Sequence, residues 1–131
     1  MIGLDTNVLV RYLVEDDPGQ SPRAVALIER AVESGERFYV SEIVLCEVVW
    51  VLSSAYGYSR ERIATALGGV LRARQLVIEN PEAARRSLDR YAEGSADFAD
   101  YLILDHCRTN GCDRVASFDG GLKSEETVFI P

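Results

Sequence analysis

The chain reads as an α/β fold, a parallel central sheet of about four to five strands flanked by helices on both faces. Three observations predict it. Short β-branched and aromatic runs alternate with longer segments of helical apolar spacing, those segments carry recognisable caps, and no internal repeat or linker-like stretch breaks the alternation. With 131 residues and 47% hydrophobic content, the alternation fits one domain over residues 1–131 with room for a sizeable core.

Taken in order, "IGLD" (2–5) is a short buried strand, and "TNVLVRYLV" behind it has the apolar spacing of a helix. "SPRAVALIERAVESG" is a second helix, with Ser21 expected as N-cap, Pro22 at the first helical position and Gly35 at the end. "RFYVS" is strand-like, and Ser41 is expected to cap a helix from Glu42 to about Ala55 that stops near Gly57. "SRERIATALGGVLRARQ" is a helix, "LVIEN" a strand, and "NPEAARRSLDRYAEG" a helix entered through Asn80 and Pro81. In "ADFADYLILDHCRTNG", Asp97 is placed as N-cap, Asp100 three residues on, and Gly111 past the end. "RVASF" and "TVFI" supply the last two strands.

Several function classes are excluded or disfavoured by composition. A net charge of -7, from 14 basic and 21 acidic residues, argues against gripping nucleic acid by bulk electrostatics, so any such binding is local. Three cysteines, Cys46, Cys107 and Cys112, without CxxC spacing suggest neither a disulfide framework nor a zinc site. The N-terminus lacks a basic leader region and no apolar run reaches membrane-spanning length, so the expectation is a cytoplasmic protein with no membrane role.

Open parallel sheets place ligand sites at the carboxyl ends of their strands. Asp5 ends the first strand, Asp119 follows "VASF", and Asp97 and Asp100 lie in a first helical turn, so these acids are expected at one edge. Glu47 stands alone in the apolar run "IVLCEVVWVL", about 9 Å into its helix at 1.5 Å per residue. Its helical neighbours Ile43, Val44, Trp50 and Val51 are apolar, which predicts an inward-facing carboxylate that needs compensation. Converging carboxylates repel unless a divalent cation neutralises them, and hard oxygen ligands select Mg²⁺ or Mn²⁺. Such sites perform in-line displacement at phosphorus. Each acid also has a plain structural alternative: Asp5 or Asp97 as an N-cap, Asp100 as a helix-dipole acid, Asp119 as a turn residue.

"MIGLDTNVLVRYL", "SEIVLCEVVWVL", "SADFADYLILDHC" and "VASFDGGLK", in this order and over essentially the whole chain, resemble the PIN-domain family and within it the VapC-type toxins of toxin-antitoxin pairs. The resemblance implies a PIN fold and a Mg²⁺- or Mn²⁺-dependent endoribonuclease leaving 5′-phosphate and 3′-hydroxyl ends. It assigns Asp5, Glu47, Asp100 and Asp119 as catalytic and metal-binding acids, Asp97 as an additional acid, and Thr6, Asn7 and Ser117 as small polar supports. It further implies a cognate antitoxin that can place a basic side chain among the acids, an RNA substrate, and operator DNA contacted only through the antitoxin. A homodimer is expected. Arg11 and Lys123 are candidate RNA contacts, the arginines from 72 to 90 form the densest basic group, and Tyr12, Trp50, Tyr56 and Tyr58 are expected to pack rather than stack on bases.

Three rivals stand beside this reading. An Asp5-nucleophile phosphatase of the haloacid dehalogenase type wants a second aspartate where Asn7 stands, and a phospho-accepting receiver domain wants one at the end of "RFYVS". A non-catalytic PIN-like interaction module is disfavoured by the intact acid set. His106, deep in a helix, is expected to be structural.

Overall fold

Strands β1 (Ile2–Gly3), β2 (Phe38–Val40) and β3 (Leu76–Ile78) pair in parallel in that order, with Ile2 opposite Phe38 and Phe38 opposite Leu76. Parallel neighbours need long crossovers. Here each is a helix pair: α1 (Thr6–Val14) with α2 (Gln20–Ser34), then α3 (Glu42–Ser54) with α4 (Arg60–Arg72). These elements form the first of two compact units, Met1–Asn80, in a computed structural model that describes residues 1–131. The second unit, Pro81–Pro131, holds α5 (Pro81–Glu93), α6 (Phe98–Thr109) and the parallel strands β4 (Val115–Ala116) and β5 (Val128–Phe129), with Val115 opposite Val128. The α/β class is as expected. All five expected strands are present, three in one ladder and two in the other, although β1, expected to be buried, is exposed at Ile2 and Gly3 because it stands at the edge of its ladder.

In the first unit α1 packs against α2 and α3, and α3 against α4. Leu9, Ile28, Val40, Leu45, Val48, Leu52, Ile63 and Leu67 are buried, each such side chain contributing about 1.5–3 kcal/mol relative to exposure. In the second unit α5 packs on α6, and Tyr91 meets Phe98 edge to face at 6.4 Å. Gly94 is required here: a Cβ at this position would collide with the Tyr101 hydroxyl and stand 2.8 Å from the Arg90 carbonyl oxygen.

The helix starts follow the sequence closely except one. Ser41 and Ser59 accept from the N–H groups of Val44 and Arg62, as N-caps do. At α2 the expected cap, Ser21, is instead buried inside the first turn. Asp17 takes the role, its Oδ1 accepting from Gly19 N–H at 2.9 Å and Gln20 N–H at 2.6 Å. The helix therefore begins one residue before Ser21, because a carboxylate reaching over Pro18 satisfies the orphan donors better than a hydroxyl already inside the turn. Its end is as expected, with Gly35 left-handed at φ 75°.

Candidate active site

Each unit gathers its own acids. In the first, the chain leaves β1 through Leu4, and Asp5 caps α1 with Oδ1 accepting from Thr6 N–H at 2.9 Å. Thr6 then donates through Oγ1 to Glu47 Oε1 at 3.0 Å. One threonine thus ties the carboxylates that begin α1 and lie midway along α3. Asn7 follows, exposed, in the same first turn. Arg11, one turn further on, is held by its neighbours: Nε donates to Gln20 Oε1 at 2.8 Å, Nη1 donates to the Tyr56 hydroxyl at 3.1 Å, and Asp16 and Asp17 lie 3.5 and 4.0 Å away.

Glu47 does not face the interior. It is exposed, and its neighbours Ile43 and Trp50 are 72% and 68% exposed. Because α3 is apolar around nearly its whole circumference, the pattern does not reveal which face is buried; Val44, Leu45, Val48, Val49 and Leu52 form the buried one. Trp50 accordingly does not pack into the core, contrary to expectation.

In the second unit Asp97 and Asp100 form a reciprocal capping box at the start of α6, Asp97 N–H donating to Asp100 Oδ2 at 3.1 Å. The loop before it is pinned by Tyr101, whose hydroxyl accepts from Ser95 N–H at 3.2 Å and Ala96 N–H at 3.3 Å. After β4, Asp119 sits in a tight turn. Its N–H donates to Ser117 Oγ at 3.0 Å and its Oδ1 accepts from Gly121 N–H at 2.8 Å. Ser95 Oγ donates to Gly121 O at 3.1 Å, which seats this turn on the α6 entrance. A Cβ at Gly121 would come within 3.2 Å of Ala96 Cα and Ser95 O, so the approach is close enough to favour glycine.

The result is that the side chains of Asp100 and Asp119 meet. Burial raises the Asp100 carboxyl above its ordinary value, and hydrogen bonding with Asp119 together with the charges of Asp119 and Asp97 raises it further, against the lowering effect of the Asp97 N–H. Two carboxyls in such contact either share a proton or share a cation. The donors suit a hard divalent ion: they are carboxylate oxygens, with no thiolate or imidazole among them. No set of three or more His, Cys, Asp or Glu side chains is grouped to hold a metal ion.

Sequence reasoning missed two ion pairs of the second unit. Asp105, buried in α6, receives Arg86 Nε at 2.7 Å and Nη2 at 3.0 Å, and Arg90 pairs with Glu125. Two of the arginines between 72 and 90 are thereby engaged internally; only the i+3 spacing from Asp105 to Arg108, an ion pair at 3.5 Å, offered a local signal. Lys123 is exposed, and no helix is long and apolar enough to cross a membrane.

A VapC ribonuclease of Aquifex aeolicus is 26% identical over 115 residues, 88% of this chain and 84% of that protein. The crystal structure of Mycobacterium tuberculosis VapC20, described as a sarcin-ricin loop cleaving toxin, aligns over 100% of both chains at 21% identity and a TM-score of 0.45. The PIN domain family matches residues 2–124, across both units, and the chain therefore belongs to the PIN-domain family.

Proposed function

We propose that this PIN domain is a divalent-metal-dependent endoribonuclease acting as the toxin of a toxin-antitoxin pair, and that residues 1–131 work as a single domain. Support for the activity comes from the family and from similarity to a VapC ribonuclease. The observation that carries the metal is the contact between Asp100 and Asp119, which adds to the burial that raises the Asp100 carboxyl and which a cation would relieve.

Asp5, Glu47, Asp100 and Asp119 would hold Mg²⁺ or Mn²⁺. When bound, that ion supplies charge neutralisation and water activation for in-line attack on a phosphodiester. The chain's own residues set the stage. Thr6 fixes the rotamer of Glu47 through their 3.0 Å bond, and the Asp97 N–H fixes one oxygen of Asp100. Ser117 holds the turn that presents Asp119. Asn7 is exposed in the same turn as Thr6 and supports the polar end of the site. Arg11 and Lys123 remain the candidate cations for RNA. A cognate antitoxin is the partner this reading requires, with operator DNA reached through it, and a homodimer is the proposed assembly.

Cleavage of total cellular RNA by purified protein, freed of any co-purifying partner, tests the reading with Mg²⁺, Mn²⁺ or chelator. Discrete cuts that need metal and disappear in Asp5→Asn and Asp100→Asn are expected, with both variants retaining wild-type circular dichroism. Full activity in either variant, or with chelator, would overturn it.

A further inference from the structure

A cavity of about 590 Å³ in the first unit is lined by charged and apolar side chains together. Asp5 and Glu47 line it with Arg11, and Val51, Ala55 and Tyr56 supply apolar surface. The volume lies within the roughly 300–1,000 Å³ typical of small-ligand sites. A nucleotide combines the same chemistries, with a phosphate that the proposed cation would bridge to the acids and a flat base with apolar faces.

Tyr56 is half-buried and held from several sides. Its hydroxyl accepts from Arg11 Nη1 at 3.1 Å and donates to Asp16 Oδ1 at 3.5 Å. Its ring stands edge-on to Tyr58 at 6.1 Å, and the Arg62 guanidinium lies 3.7 Å from the centre of the Tyr58 ring. Gly57, left-handed at φ 64°, makes the turn that lets two tyrosines separated by one residue meet. A ring held in one orientation before its ligand arrives loses little entropy on stacking.

We propose, resting on the ribonuclease reading above, that this cavity receives one unpaired base of the RNA beside the cut, stacked on Tyr56. Tyr56 then sets KM and the base preference at that position. Arg11, balanced by Asp16 and Asp17, is a positioning residue that holds the tyrosine hydroxyl.

The test uses short single-stranded RNAs carrying 2-aminopurine at each position in turn, with the wild type, Tyr56→Leu, Tyr56→Ala and Tyr56→Trp. Binding is read as quenching with Ca²⁺ replacing Mg²⁺, and cleavage is followed separately in Mg²⁺. Stacking predicts quenching at one position in the wild type and Tyr56→Trp, and its loss in Tyr56→Leu and Tyr56→Ala. In those two variants KM rises about tenfold or more, kcat holds within about threefold, and the base preference at that position flattens. Quenching that ignores position 56, or appears nowhere in the wild type, overturns the proposal. Cleavage without Tyr56-dependent quenching would sink the base pocket and leave the ribonuclease standing; quenching without cleavage would do the reverse.

Discussion

At the scale of single residues, placement matters more than acidity. Thr6 carries no charge, yet its hydroxyl is what Glu47 leans on. Thr6→Val, which keeps the shape and removes the donor, is expected to lower kcat roughly tenfold with little change in KM, equivalent to about 1.4 kcal/mol of barrier. Thr6→Ser restores most of it in the same steady-state assay. Gly94 is constrained differently, because a methyl there runs into the Tyr101 hydroxyl that pins the α6 entrance. Gly94→Ala should cost about 1–3 kcal/mol of stability in urea denaturation, by overpacking. Tyr101→Phe in the same background should not restore it, because the ring carbon and the Arg90 carbonyl still crowd the new methyl and the Ser95 and Ala96 N–H groups lose their acceptor.

At the scale of elements, the α5–α6 pair is locked by Asp105 and Arg86. The Asp105 side chain is only 6% exposed, and the hydrogen bonds from Arg86 hold its carboxyl below the ordinary 3.8. A depressed carboxyl stabilises the fold above its unfolded value and loses that contribution as pH falls through the folded one. Asp105→Ala should therefore cost about 1–3 kcal/mol at pH 7, and the gap to wild type should begin to narrow as pH falls past about 3.8 and close only below the lower value of the native carboxyl. Urea titrations over that range check this; a gap that persists in acid would mean packing rather than charge. These same elements show what was legible in the sequence. The box between Asp97 and Asp100 spans one helical turn, so local spacing was sufficient to read it. The link from Arg11 to Tyr56 spans 45 residues and that from Arg86 to Asp105 spans 19, distances over which no periodicity carries information. Glu47 was misjudged for a related reason, since a helix apolar on nearly all sides hides which side the fold buries. Ser21 lost its cap to Asp17 because a carboxylate across Pro18 was a competitor that the local pattern did not rank.

For the whole molecule, the governing number is a net charge of -7. RNA is repelled by the surface at large, so few phosphates are neutralised on binding. The slope of log K against log salt for single-stranded RNA should be shallow, about -0.7 for each contact and no more than two or three contacts. A slope several times steeper would point to a basic track not accounted for by Arg11 and Lys123. The proposed cation acts in the opposite sense, relieving acid repulsion in the folded state alone. Mg²⁺ at a hundred times its dissociation constant should add about 2.7 kcal/mol to stability, visible as a raised Tm by far-UV circular dichroism and absent in Asp100→Asn.

The exposed indole of Trp50 carries a practical consequence. It is the chain's sole tryptophan, and it already faces water in the folded state. Its emission should be red-shifted from the start and barely move on denaturation, which makes it a poor gauge of unfolding. By the same token it is a built-in fluorophore for occupancy of the outer face of α3: a blue shift on raising the protein concentration, or on adding a second polypeptide, would register that face becoming dry without any label attached.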